Sequence, residues 1–187
     1  MPYPSKVEPK QIVDTASAMI EEIGVESLSL AKLASRLGVK APSLYRYFNG
    51  KTALLRAVNT KTITALNTFV RDEAQKAPTP RERVIAMAHA YRQFALEHPA
   101  LYGLAYTNTI DDLRPADEDL APLSLELESI VAEYVGKEQG LVALRGLWAI
   151  SHGFVMLELC DQFWRGGDLD AAFATAVESY IRGLPSR

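Results

Sequence analysis

Apolar residues recur at three- and four-residue intervals along almost the whole of this 187-residue chain, and no run alternates as a strand would. Ile12, Val13, Ala16, Met19, Ile20 and Ile23 form one stripe after Pro9, which predicts a first helix that Gly24 stops. Residues 1–8 read as loose chain. Ser29 has the hydroxyl and the position to cap a second helix carrying Leu33, Ala34 and Leu37. Gly38 turns the chain, and a third helix lies within 40–48, with Pro42 in its first turn where a missing amide hydrogen matters little. A fourth helix starts near Gly50 and runs into the 70s. Pro78 and Pro80 open a fifth over 80–98, closed by His98-Pro99. A shorter helix covers 100–108, and the acidic, proline-containing stretch 111–122 reads as a loop. Further helices follow over 119–136, 138–164 and 168–183, with Gly166-Gly167 between the last two. The fold class is all-α.

Composition narrows the compartment and the chemistry. A 48% hydrophobic and 23% charged chain is ordinary for a globular fold. One cysteine, Cys160, excludes an internal disulfide. The beginning of the chain lacks the apolar run of a signal peptide. Residues 141–160 are apolar enough to resemble a membrane span, but they carry Arg145, His152 and Glu158. A central arginine alone opposes insertion by roughly 2.5 to 3.5 kcal/mol. The expectation is a buried helix in a cytoplasmic protein with no membrane partner. No spacing among His89, His98, His152 and Cys160 suits a closed metal site, and nothing calls for a cofactor. Ser151, His152 and Asp161 do not make a catalytic triad, because neighbours on one helix point in different directions.

Net charge, −3 overall, divides unevenly. Up to Lys61 there are nine Lys and Arg against five Asp and Glu, a balance of +4; the remainder has eleven against eighteen, a balance of −7. A basic head on an acidic body fits DNA contact confined to one end. Residues 30–55 sharpen that reading. Leu33, Leu37, Val39 and Leu44 sit where a helix-turn-helix buries its core, Ala34 is small, and Gly38 makes the turn. The second helix of the pair presents Lys40, Ser43, Tyr45, Arg46 and Tyr47, a set suited to a phosphate backbone. The spacing of Tyr45 and Tyr47 argues against burial of both. Arg46 faces away from Leu44, toward a groove or toward solvent. Lys51 stands at a helix N-terminus, where amides also favour anions.

These positions carry a family resemblance. From Ile12-Val13 and Ala16 through Gly24, Leu28, Leu33-Ala34, Leu37-Gly38-Val39, Leu44-Tyr45, Tyr47-Phe48, Lys51 and Leu54-Leu55, the chain resembles the TetR family of bacterial transcriptional regulators. The resemblance implies a three-helix DNA-binding domain over 1–52 and a ligand-binding and dimerisation domain over 53–187. It implies base or phosphate contact by Ser43, and phosphate contact by Tyr45, Tyr47 and Lys51. Lys40 stands where the family often has a neutral cap. Ala41 and Pro42 bring no hydrogen-bonding side chains, leaving apolar contacts with thymine methyls. Leu147-Trp148 through His152-Gly153, with Pro99, Leu101 and Tyr102, resembles the Trp-His-Gly subgroup of C-terminal domains.

The expected function is transcriptional regulation by a homodimer on a palindromic double-stranded operator, a repressor released by a small-molecule effector, with the fourth helix as lever. Met87, Tyr91, Phe94, Tyr102, Trp148, His152 and Met156 form the candidate effector pocket; the alternative is ordinary core. The helix through 140–160 is apolar nearly all round, as when one face meets its own core and another a partner. That makes Phe154 and Leu157, with Phe173, Val177 and Tyr180 of the last helix, the candidate dimer interface, while Gly146, Ala149 and Gly153 allow close helix approach. Two other classes compete: an enzyme acting on a hydrophobic small molecule with a vestigial helix-turn-helix, and a helix-turn-helix protein acting mainly through protein partners.

Overall fold

Pro9 starts the first helix, since its ring presets the helical φ and its missing N–H would be unpaired there in any case. In the computed structural model, which describes residues 7–106 and 113–185, α1 runs Pro9–Ser27. Gly24 interrupts it with φ 76°, ψ 157°, the break the sequence predicts. Then come α2 (Leu30–Arg36), α3 (Ala41–Tyr45), α4 (Lys51–Gln75), α5 (Pro80–Glu97), α6 (Pro99–Tyr106), α7 (Asp117–Val135), α8 (Lys137–Leu159) and α9 (Leu169–Arg182). No strand occurs among the described residues, so the fold is all-α.

Two boundaries differ from the sequence reading. The predicted loop over 111–122 extends too far, because α7 begins at Asp117 and takes Pro122 inside it. A proline so near a helix start removes one intrahelical bond, which the rest of the helix tolerates. Residues 111 and 112 lie outside the described residues. At the other end, α8 stops at Leu159, not near 164; Asp161 adopts φ 53° and the chain turns away.

The helices group into two compact units. The first takes the chain up to Ile63 together with His98–Asp119; the second takes Thr64–Glu97 and everything from Leu120. In the first unit Ile12, Ala16 and Ile20 of α1, Leu30 and Leu33 of α2, Leu44 of α3, Leu54 and Val58 of α4, and Leu101 and Leu104 of α6 share one buried cluster. Lys61 of α4 reaches Asp14 of α1 at 2.7 Å, and this hydrogen-bonded partner holds the Asp14 carboxyl below its ordinary pKa.

In the second unit α5, α8 and α9 pack on one another. Arg92 of α5 ties the three together. Its guanidinium donates twice to Glu158 of α8 and once to Asp170 of α9, each at 2.7 Å. It also lies 5.8 Å and 5.3 Å from the ring centroids of Phe154 and Phe173. Arg92 and Glu158 side chains are only 11% and 14% exposed, so this pair is desolvated enough to matter, unlike the other, more open pairs of the surface.

By length and composition α8 could cross a membrane. Here it packs on α5 and α9 and spends Glu158 on Arg92. Gly146 is a close-approach point: a Cβ there would sit 2.0 Å from the Tyr180 hydroxyl oxygen, and that hydroxyl donates to the Ala143 carbonyl at 2.9 Å. Gly153 is not one within the chain, since a Cβ there would meet nothing within 4 Å.

Arg92→Ala leaves Glu158 buried without its partner and should lower stability by about 2 to 4 kcal/mol. Arg92→Lys should recover part of that loss, because an ammonium cannot make the forked contact. Urea unfolding of both variants checks this; an unchanged midpoint for Arg92→Ala would remove the arginine from its central place.

Candidate nucleic-acid interface

Residues 29–48 fold as the helix-turn-helix the sequence predicts, for local reasons that can be followed bond by bond. The Ser29 hydroxyl accepts the Lys32 N–H at 3.2 Å and caps α2. At the other end the Val39 N–H reaches the Ala34 carbonyl at 2.9 Å and the Gly38 N–H reaches Ser35 at 3.1 Å. That is the double bond pattern of a Schellman turn, and it needs the left-handed φ of 68° that Gly38 supplies. Proline sits in the first turn of α3.

Leu44, wholly buried, points α3 at the core. The opposite edge is therefore open: Lys40, Pro42, Tyr45 and Arg46 are exposed, Tyr45 by 57%. Ala41, Ser43 and Tyr47 are half-buried, and Ala41 and Tyr47 pack against the core cluster with part of their surface outward. Arg46 lies 5.9 Å from the centroid of the Tyr47 ring, which stiffens a long side chain beside an aromatic one.

Lys51, first residue of α4, is half-buried and already engaged. Its ammonium donates to the Val25 carbonyl at 2.8 Å, beside the Gly24 break. Two of its three N–H groups remain for another acceptor. Lys32 and Arg36 of α2 are exposed basic residues that the sequence reading left out of the interface. Their four-residue spacing on one helix face was the available signal. Lys32 donates to the Ser27 carbonyl at 3.0 Å and Arg36 to Glu22.

The remaining candidate sites divide. Met87, Tyr91 and Phe94 are buried, with the Tyr91 ring 5.1 Å from that of Trp148. Trp148, His152 and Met156 lie four residues apart on one side of α8, half-buried. Burial pushes the His152 pKa below its ordinary value and favours the neutral ring. Tyr102 belongs to the first unit and not to the unit holding the other six.

Two of the proposed interface residues need correction. Phe173 and Val177 have no exposed surface to offer a partner: both are wholly buried within the chain, Phe173 against His89 and Phe154. An apolar helix stripe marks burial without saying whether its own core or a second chain does the burying. Tyr180 is half-buried and spends its hydroxyl on Ala143. Phe154 is half-buried and Leu157 is 46% exposed. Among the described residues no group of three His, Cys, Asp or Glu is placed to hold a metal ion. The Ser151 hydroxyl is wholly buried and makes no hydrogen bond, while Asp161 is exposed beyond the helix end.

A capped helix, a glycine turn and a short helix with one buried leucine and an outward basic and aromatic edge define a helix-turn-helix DNA-binding protein. Comparison with known proteins agrees. Residues 12–58 match the profile described as bacterial regulatory proteins, tetR family, and residues 84–180 match the tetracyclin repressor-like C-terminal domain. The HTH-type transcriptional regulator Rv0681 of Mycobacterium tuberculosis is 30% identical over 98% of this chain and 84% of its own length. YobS of Bacillus subtilis, also named an HTH-type transcriptional regulator, is 29% identical over 94% of this chain and 91% of its own. A TetR variant from Acinetobacter baumannii, solved in complex with minocycline, has the same fold, with a TM-score of 0.71, 24% identity and coverage of 95% of this chain and 96% of that one. The chain belongs to the TetR family and is a DNA-binding transcriptional regulator. The C-terminal match does not by itself confirm the narrower Trp-His-Gly assignment.

Lys51→Met removes a charged donor from the Val25 carbonyl, which keeps only the Leu28 N–H. A stability loss of about 1 kcal/mol follows, read by urea unfolding without DNA. No loss would show that this bond adds nothing to the stability of the fold.

Proposed function

We propose that this regulator is a homodimeric repressor, which reads a palindromic operator with the outward edge of α3 and leaves it when a small molecule binds the second unit. The observation that carries this reading is the division of α3, with Leu44 wholly buried and Lys40, Pro42, Tyr45 and Arg46 exposed on a basic unit. Tyr45, Arg46, Tyr47 and Lys51 contact phosphates, Ser43 contacts a base or a phosphate, and Ala41 and Pro42 meet thymine methyls. Two copies of α3 enter successive major grooves roughly 34 to 36 Å apart.

The partner surface is the exposed apolar side of α8, where Val142 is 64% exposed and Leu157 46% exposed, with half-buried Phe154 one turn from Leu157. A second copy covers it more readily than water does. The effector is apolar with a few polar groups, held by Trp148, His152 and Met156 of α8 with Met87, Tyr91 and Phe94 of α5 behind them. The A. baumannii protein solved with minocycline supports a fold of this kind taking a small molecule. α4 is continuous from Lys51 to Gln75 through the boundary between units, which makes it the route by which ligand binding alters DNA affinity. That effect requires the ligand to bind the two conformations unequally. Chromosomal DNA as partner places the protein in the cytoplasm, and its chemistry is binding, not catalysis.

Fragments of the source genome selected by the protein supply the operator. On that DNA Arg46→Ala should weaken binding and reduce the slope of log K against log salt by about one unit. An unchanged slope would take Arg46 off the phosphate backbone. Leu157→Lys should give monomers in sedimentation velocity at micromolar concentration, and a persistent dimer would move the interface elsewhere.

A further inference from the structure

Two consecutive carboxylates on α1 leave the helix in different directions and each grips a different element. Glu21 accepts the backbone N–H groups of Ala100 at 3.3 Å and Leu101 at 3.1 Å. These are the second and third residues of α6, and Pro99 at the first position has no N–H to satisfy. The Tyr102 N–H bonds to the His98 carbonyl at 2.8 Å, so the first turn of α6 is closed by an acid that lies 79 residues before it. A negative charge is at its most favourable there, against the positive end of the helix dipole. Glu22 turns outward and takes both ends of the Arg36 guanidinium, at 2.7 and 2.9 Å. Arg36 is the last residue of α2, immediately before the turn that leads to α3.

Apolar packing reinforces both grips. Leu101 and Leu104 of α6 are buried in the cluster that also holds Leu33 and Leu44. The α6 helix begins one residue past His98, where the chain passes from the second unit into the first. We propose that Glu21 is a positioning residue for DNA recognition. It anchors α6 to α1, and Glu22 with Arg36 passes the resulting placement of α1 on to α2 and the turn before α3. This inference rests on the reading of α3 as the DNA-contacting edge. Loss of the anchor lets α1 and α6 adopt other relative placements, so a smaller fraction of molecules holds α3 ready to bind, and apparent affinity falls by that fraction.

The test compares Glu21→Met, which removes the acceptor at similar length, with the double variant Glu21→Met/His98→Asp. The added aspartate sits at the residue before Pro99 and caps α6 locally, restoring the helix end without restoring its tie to α1. Binding to the selected operator fragment is measured across salt concentrations, with amide hydrogen exchange at Ala100 and Leu101. Both variants should bind about 3- to 10-fold more weakly than wild type, with an unchanged salt slope because no phosphate contact is lost. Exchange at Leu101 should rise in the single variant and return in the double one. Full affinity in the double variant would overturn the proposal, leaving Glu21 as a helix cap alone, and so would full affinity in the single variant. A wild-type protein that selects no DNA would instead overturn the underlying reading of α3.

Discussion

A helix of five residues has no stability of its own. Nucleating a helix fixes several residues before the first hydrogen bond forms, and α3 is too short to recover that loss by propagation. It exists because Leu44 is held in a core built by α1, α2, α4 and α6, and because the turn at Gly38 delivers the chain at the right angle. The outward edge of α3 is therefore a property of the whole first unit. Any change that loosens α1 or α2 reaches Tyr45 and Arg46 without touching them.

The supports of that edge are of two kinds. Apolar packing sets which residues are inside and carries most of the hold, while charged contacts add smaller, directional ties between the helices. Arg36 with Glu22, Lys61 with Asp14, and Lys51 with the Val25 carbonyl each join α1 to another element of the first unit. In the second unit Arg92 plays the same part for α5, α8 and α9, with the added feature that its pair with Glu158 is largely shielded from water while Asp170 stays open. A forked guanidinium suits this use because its donors have fixed directions.

Much of the first unit could be read from the sequence, since its signals are local. The Ser29 cap, the Gly24 and Gly38 breaks, Pro42 in a first turn and the periodic leucines each act within a few residues. The engagement of Lys51 by Val25 and the capping of α6 by Glu21 were not legible, because they join residues 26 and 79 positions apart. The second unit was harder still. An apolar stripe on α9 was right as a stripe, yet Phe173 and Val177 turned inward and left Leu157 of α8 outside. Periodicity gives the face of a helix but not the identity of what covers it. The loop before α7 was overextended for a related reason: Pro122 punctuates a sequence strongly, yet near a helix start it costs one intrahelical bond without ending the helix.

The proposed meeting of DNA with the outward edge of α3 is open to observation residue by residue. Amide spectra of the perdeuterated protein, recorded before and after addition of a selected operator fragment, address it directly. The largest changes should fall on Lys40, Ser43, Tyr45, Arg46 and Lys51, with Leu44 moving less. Saturating DNA that leaves the α3 amides unmoved while shifting residues elsewhere would contradict it.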